Sequence, residues 1–345
     1  MPDVWGNADV VRWVVVVILL GLIPVYYWQR KRSRTRHAAM HAELTEIGRL
    51  HERGADVEAA HRCVALQDKC SRPDSALDRE VIFKAADYLA SARVQVGSLA
   101  DAETDLGALL EELGPDRRPD LRSGWLTLAN FGWVAIMRGR YAEGIEIAER
   151  VVRECVRRWG EDAPVLQSAR RILASCLIEV GRAEEALPIL TAEFEDALAK
   201  SGEDSVLTMH VRHSLAEAQL NLGLLDEAEA GFVLVLSGFE SHLDHLAAAA
   251  GARFGLAKIA ALRGRIDEAA EGFTRVLTEL QDTAGPTGPW TMHTRFELAE
   301  LDARAGNADA ALATHRSVLA DRIHVLGPDH PDTVRSRAAV AERTG

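Results

Sequence analysis

The chain repeats itself, and the repeat limits what it can fold into. Short turns recur at Gly97 (GSLADA), Gly139 (GRYAEG), Gly181 (GRAEEA), Gly223 (GLLDEA), Gly264 (GRIDEA) and Gly306 (GNADAA), at intervals of 42, 42, 42, 41 and 42 residues. GADVEA at Gly54, 43 residues before Gly97, makes a seventh unit. Five residues after each glycine stands a small residue: Ala59, Ala102, Gly144, Ala186, Ala228, Ala269 and Ala311. Four after it stands an acid in every unit but the last, which has Ala310. Ahead of the glycine the pair is Leu-Ala at Leu89-Ala90, Leu173-Ala174, Leu215-Ala216, Leu256-Ala257 and Leu298-Ala299, with Phe131-Gly132 in the same place. The Gly54 unit has Glu46-Ile47 there, so it is atypical, a cap or a connector.

Each feature has a physical reading as part of a helical hairpin. Apolar residues around the turns fall at helical spacing. The glycine suits the left-handed residue that ends a first helix. The acid suits the first turn of a second helix, at its positive dipole end. The small residue lets the two helices approach closely. One hairpin cannot bury its apolar face alone, so the units must stack. An Ala-rich chain with 6% aromatic residues points the same way, because strands favour β-branched and aromatic side chains.

LGPDHPDTV, Leu326 to Val334, sets two aspartates and a histidine in a Gly/Pro frame, the residue types of a metal or catalytic loop. It has counterparts in LGPDRRPDL at Gly114, WGEDAPVL at Gly160, SGEDSVLT at Gly202 and AGPTGPWT at Gly285. These segments join the second helix of one unit to the first of the next, where Gly stops a helix and Pro, Asp or Ser/Thr starts another. His330 has no equivalent in the other loops, so the stretch reads as punctuation. Thr333 to Arg343 then forms a last helix, the first half of an eighth unit.

The Leu-Ala, Gly and Ala skeleton resembles the tetratricopeptide repeat. The 42-residue period and the LGPDHPDT linker resemble its kinesin-light-chain-type subgroup, well over residues 76–345 and weakly over 38–75. The resemblance implies an all-α, right-handed superhelical solenoid: an atypical first hairpin at 38–75, an array at 76–326 and a capping helix at 327–345. It implies a concave groove lined by first helices, at residues about 13, 10, 6, 3 and 2 before each turn glycine. An Asn nine before it often touches peptide backbone. On this chain the Gly139 unit gives Leu126, Ala129, Trp133, Ile136 and Met137, with Asn130 as the one Asn match. Later units give Arg171 and Glu179, then His210, His213, Glu217 and Asn221, then Phe254 and Lys258, then Phe296, Glu300 and Arg304. An apolar entry followed by a mixed polar track suits a peptide with a hydrophobic anchor and flanking charges.

Eleven residues before the turn glycines stand Arg170, Arg212, Arg253 and Arg295, and Arg337 continues the series. Two readings compete. The preferred one is structural: each stem packs between repeats and each guanidinium pairs with an acid of the neighbouring hairpin. The other is a basic seam that clamps an acidic peptide.

The N-terminus reads differently from the array. Val10 to Trp28 is 19 residues of mostly apolar sequence, roughly 28 Å as helix and close to the hydrocarbon thickness of a bilayer. A basic segment, 29–37, follows it, and residues 1–9 precede it. By the positive-inside rule this predicts a single-pass anchor in a cell membrane, with the N-terminus outside and the array cytoplasmic. Beyond residue 36 the charge is about −16, so the array is held off anionic lipid while the basic run is drawn to it. The lipid bilayer is thus one expected partner.

Net charge of −12 argues against nucleic acid as a partner. Four cysteines without a CxxC pair read as reduced thiols rather than a zinc or disulfide framework. His37/His41, His210/His213 and His242/His245 have helical spacing without a third ligand, so no metal is assigned. There is no P-loop, dinucleotide fingerprint or Gly-x-Ser-x-Gly elbow, and hence no cofactor or catalytic residue is assigned. The use of Arg over Lys and the abundance of Ala suggest a GC-rich bacterial genome. The expected function is a non-catalytic, membrane-tethered scaffold that docks a protein or peptide. The alternative is a sensor or regulator whose groove binds a small molecule or signalling peptide.

Overall fold

A computed structural model of the chain describes residues 35–36, 38–51, 53, 55–69, 76–111, 122–161, 163–240 and 246–344. All regular structure among them is helical. The helices are α1 (38–51), α2 (Asp56–Lys69), α3 (Ala76–Gln95), α4 (Leu99–Glu111), α5 (Arg122–Met137), α6 (Tyr141–Trp159), α7 (Pro164–Glu179) and α8 (Ala183–Ser201). After them come α9 (Val206–Asn221), α10 (Leu225–Glu240), α11 (Leu246–Leu262), α12 (Ile266–Thr283), α13 (Pro289–Arg304), α14 (Ala308–Val325) and α15 (Pro331–Glu342). The chain divides after Glu46 into two groups of residues, and α2–α15 all belong to the second, Ile47–Gly345.

The expected hairpins form, and their turns close as the glycines require. Gly97, Gly139, Gly181, Gly223, Gly264 and Gly306 have φ between 75° and 88°. The residue after each glycine donates back across the turn: Arg140 to the Ala135 carbonyl at 2.8 Å, Arg182 to Leu177 at 2.8 Å, Arg265 to Ala260 at 2.9 Å, Asn307 to Asp302 at 2.9 Å. This satisfies carbonyls that the helix end would otherwise leave open. Ala59, Ala102, Ala186, Ala228, Ala269 and Ala311 are all fully buried, so the small residue sits where two helices cross. Each hairpin shares its core with the next. Leu106 and Leu110 of α4 bury with Trp125 and Leu128 of α5, and Ala169 of α7 closes the same cluster. Gly54 and Gly114 lie outside the described residues.

The stack also meets itself, which the repeat did not announce. α13 packs against α3, ten helices earlier, and α15 reaches α5 with the same offset. A Cβ added to Gly97 would stand 3.1 Å from both the Thr287 carbonyl oxygen and Val325 Cγ1. A Cβ added to Gly139 would stand 2.8 Å from Pro331 Cδ. His330 Nε2 lies 3.0 Å from the Met137 carbonyl oxygen. Five hairpins therefore bring the array back upon itself, and its inner face lines a shared space.

LGPDHPDTV is punctuation locally, with Gly327 at φ 92° and Pro331 opening α15. His330 does more than separate helices. Its Nδ1 accepts from the Asp332 N–H at 3.2 Å, capping α15, while Nε2–H donates to Met137. Only the neutral ring with its proton on Nε2 serves both contacts. Burial pushes its pKa below the ordinary value, in keeping with that form, against the pull of Asp332. Arg322, almost fully buried, holds α15 from the other side through the Asp332 carbonyl at 3.0 Å and Ser336 Oγ at 2.8 Å.

One expectation is corrected. No helix among the described residues is long and apolar enough to cross a membrane. The longest, such as α3 with 20 residues and α6 with 19, carry charges throughout their length because one face meets water. The span proposed from Val10 to Trp28 lies outside the described residues. A single-pass membrane location with the bilayer as partner is therefore not supported.

Gly139→Ala and Gly223→Ala both force a non-glycine residue into positive φ, at about 1–2 kcal/mol each. Gly223 has open space around its Cβ position and Gly139 has not. Urea denaturation followed by circular dichroism is expected to show the larger loss for Gly139→Ala. Only that variant should increase the radius of gyration in small-angle scattering.

Candidate functional site

Much of the inner wall is built by residues six and two before the middle turn glycines, four apart and so on one helix face. Trp133, Ser175, Glu217 and Lys258 come from the first register, and Glu179, Asn221 and Leu262 from the second. Together they line a cavity of about 530 Å³, completed by Phe254, Trp290, His293, Glu297 and Arg335. A second cavity of about 450 Å³ adjoins it, with His210 and His213 on one side and Asp56 and Gln95 on another. The two share Glu217, Gly251, Phe254 and Trp290.

Aromatic rings form the apolar part of the wall. Phe254 meets Trp290 edge-on with centroids 5.9 Å apart, and it meets His293 at 5.1 Å and Phe273 at 5.1 Å. His213 stands edge-on to Phe232 at 5.5 Å, and His210 lies on Phe239 at 5.4 Å.

The charges are unevenly matched. Lys258 pairs with Glu297, which also takes Arg335 at 3.4 Å and has His293 Nε2 at 3.6 Å. Burial pushes Glu297 up, but Lys258, His293 and Arg335 outweigh it and hold the carboxyl below its ordinary range. Burial pushes His293 down to about 4, so the ring is neutral at pH 7. Across the cavity Glu179 has no hydrogen bond or ion pair with any of the described residues. It is open to cavity water yet walled by protein. Desolvation, with Glu217 and Asp332 nearby, pushes its carboxyl up to about 7. Glu217 has only His213 Nδ1, at 3.7 Å.

The structure thus gathers Trp133, His210, His213, Glu217, Asn221, Phe254 and Lys258 around one space. The other expected groove residues go elsewhere. Leu126 and Met137 pack against the core around Trp125 and Leu128. Asn130 bonds the carboxyl of Asp87, which burial pushes up to about 7 while Asn130, Thr127 and Lys84 pull it back. Arg171 is half-buried near Glu193, and burial lowers its pKa. Phe296 is core, 2% exposed, with the Arg335 guanidinium 4.5 Å above its ring. Glu300 is engaged by Arg343 at 2.9 Å and His315 at 3.2 Å.

Trp290, His293 and Glu297 were not singled out by sequence. Two of them had a signal: His293 and Glu297 stand 13 and nine before Gly306, the registers of Leu126 and Asn130. Trp290 is at the start of its helix, outside those registers, and only curvature brings it inward. Among the described residues no group of three or more His, Cys, Asp or Glu could hold a metal ion. Cys155 and Cys176 are buried thiols pushed up to about 11 and about 12 by desolvation.

The arginine ladder is occupied within the array. Arg170 pairs with Glu193 at 3.1 Å, Arg253 with Glu279 at 3.0 Å and Arg295 with Asp321 at 2.6 Å, each on the second helix of its own hairpin. The same residues also reach back nine positions to the preceding linker. Arg170 meets Glu161, Arg212 meets Glu203 at 3.0 Å, Arg295 meets the Pro286 carbonyl at 3.1 Å and Arg337 the Pro328 carbonyl at 3.0 Å.

Comparison with known proteins bears on the fold. Family models described as tetratricopeptide repeat match residues 209–230, 250–271 and 291–332. Those stretches of the array match the tetratricopeptide repeat. No curated protein matches it. It is similar to the crystal structure of NprR in complex with its cognate peptide NprX, at 12% identity and a TM-score of 0.57. That match covers 89% of this chain and 83% of the other. It is also similar to a Rap protein complexed with competence and sporulation factor, at 14% identity and a TM-score of 0.50, covering 89% and 99%. A kinesin light chain-like repeat protein of Podosopora anserina shows 19% identity and a TM-score of 0.42 over 60% of this chain and 98% of its own. At these identities the likeness is one of fold.

Two outcomes are expected. Arg253→Met should lower stability in urea by roughly 1–2 kcal/mol, since a largely buried guanidinium is lost and Glu279 keeps only the Arg275 contact at 3.5 Å, and Arg337→Met, which meets only a carbonyl, should cost less. Glu179 has a folded pKa above its ordinary 4.5, so its contribution is full below that value and is lost as pH rises towards about 7. Glu179→Gln removes that loss. Thermal denaturation should show the variant gaining on the parent protein between pH 5 and pH 7.5.

Proposed function

We propose that this chain is a non-catalytic binding protein that takes a peptide, or an extended segment of a protein partner, on the inner face of its closed array. The observation that carries the reading is the pair of adjoining cavities, with Trp133, Phe254 and Trp290 as an apolar wall beside His210, His213, Glu217, Asn221 and Lys258. An extended segment there could bury side chains between rings and satisfy its backbone on polar groups. The likeness in fold to NprR with a bound peptide and to Rap with a bound factor supports the same reading.

In this reading 76–326 is the binding array, 327–345 its cap and 38–75 an atypical first hairpin. The arginine ladder staples hairpins to their linkers and is not the ligand contact. An enclosed inner face favours a short segment over a broad scaffold surface, so the role of peptide sensor or regulator is preferred to that of open adaptor. Nothing in the wall provides an activated nucleophile or a metal set, and binding is the whole of the proposed activity.

The test is selection of displayed peptides on the full chain, followed by titration of the best one. Trp133→Ala should weaken it tenfold or more, as loss of a central aromatic anchor does. Val233→Ala, exposed on α10, should leave it unchanged. Equal affinity for folded Trp133→Ala and the parent protein would remove the binding surface from the inner face.

A further inference from the structure

The cavity walls differ in charge as well as in polarity, and the difference specifies a ligand. Its cations are already used: Lys258 and Arg335 both lie on Glu297, and His293 beside them is neutral. Its anions are not. Glu179 on α7 has no partner, and Glu217 on α9 has only a long contact to His213. Asp332 on α15, Tyr141 on α6 and the Cys176 thiol one turn earlier on α7 are the other titratable groups beside Glu179, and none supplies positive charge. Carboxylates set near one another without a cation repel. A bound cation relieves that repulsion. Trp133 and Phe254, in the same cavity, offer apolar and π surface beside the acids.

Resting on the peptide-binding reading above, we infer that the inner cavity selects a segment in which a Lys or Arg side chain neighbours an apolar one, the cation seated between Glu179 and Glu217 and the apolar group against Trp133 and Phe254. Binding then carries a signature. Near pH 7 Glu179 is partly protonated, and a cation beside it favours the carboxylate. The proton leaves to buffer as the ligand arrives. A ligand without positive charge gives no such release.

The probe is the capped heptapeptide Ac-Gly-Ser-Phe-Arg-Leu-Ser-Gly-NH2, with citrulline or glutamate in place of its arginine. Each is titrated calorimetrically into the full chain at pH 7 in two buffers of different ionisation enthalpy. The arginine peptide is expected to bind about tenfold or more tighter than the citrulline peptide, and tighter still than the glutamate one. Its apparent enthalpy should depend on the buffer in the sense of proton release. Glu179→Gln, which relieves repulsion and so folds at least as well, should abolish the buffer dependence and most of the preference. Equal binding of the three peptides overturns the inference while leaving peptide binding on the inner face intact. Tighter binding of the glutamate peptide overturns it in favour of the Lys258–Arg335 side. No binding of any peptide up to about 1 mM also overturns it, and the displayed-peptide selection then decides whether the broader reading falls as well.

Discussion

The structure depends on the close approach of two helices at one small residue. Six alanines, from Ala59 to Ala311, are fully buried where the second helix of a hairpin crosses the first. A larger side chain there would hold the helices apart and leave the apolar faces on either side incompletely covered. Each hairpin covers only part of its own apolar surface, and the remainder is covered by the next. Stability is therefore shared along the array through neighbouring interfaces.

Repetition of one geometry also sets curvature. Every unit adds nearly the same rotation, because turn glycine, small residue and arginine staple recur at nearly the same spacing. After five hairpins the rotation brings α13 against α3 and α15 against α5. The array thereby gains contacts between residues nearly two hundred positions apart, as with His330 and Met137. These long contacts turn the inner face from a simple groove into the wall of a shared space.

That confinement explains the chemistry of the wall. Glu179, which lines the cavity, is pushed up to about 7 by desolvation with Glu217 and Asp332 nearby. Asp87, outside the cavity against α5, is also pushed up to about 7, but Asn130 and Thr127 pull it back. Glu179 has no such neighbour, and Glu217 has only the long contact to His213. The ladder arginines show the opposite arrangement: they line neither cavity, and each is met by an acid or a carbonyl of its own hairpin or of the linker before it. Positive charge is spent on holding the array together, and negative charge is left facing the cavity.

The sequence by itself determined the hairpins, their turns and their registers, because these rest on local rules: positive φ at glycine, small residues at helix crossings, acids at helix starts. It also placed Trp133, Glu217 and Lys258 on the inner face, since six residues before the turn is a fixed direction on a helix. It did not determine which inner residues meet. Asn130 shared the register of a peptide contact but faces Asp87. Phe296 shared that of a groove residue but is core, because α15 and the tail of α14 cover it. Trp290 and the bond between His330 and Met137 follow from the accumulated curvature of five hairpins, which no single unit encodes. Only the tertiary structure decided that the groove closes, that His330 latches α15 to α5, and that Glu179 faces the enclosed space without a partner.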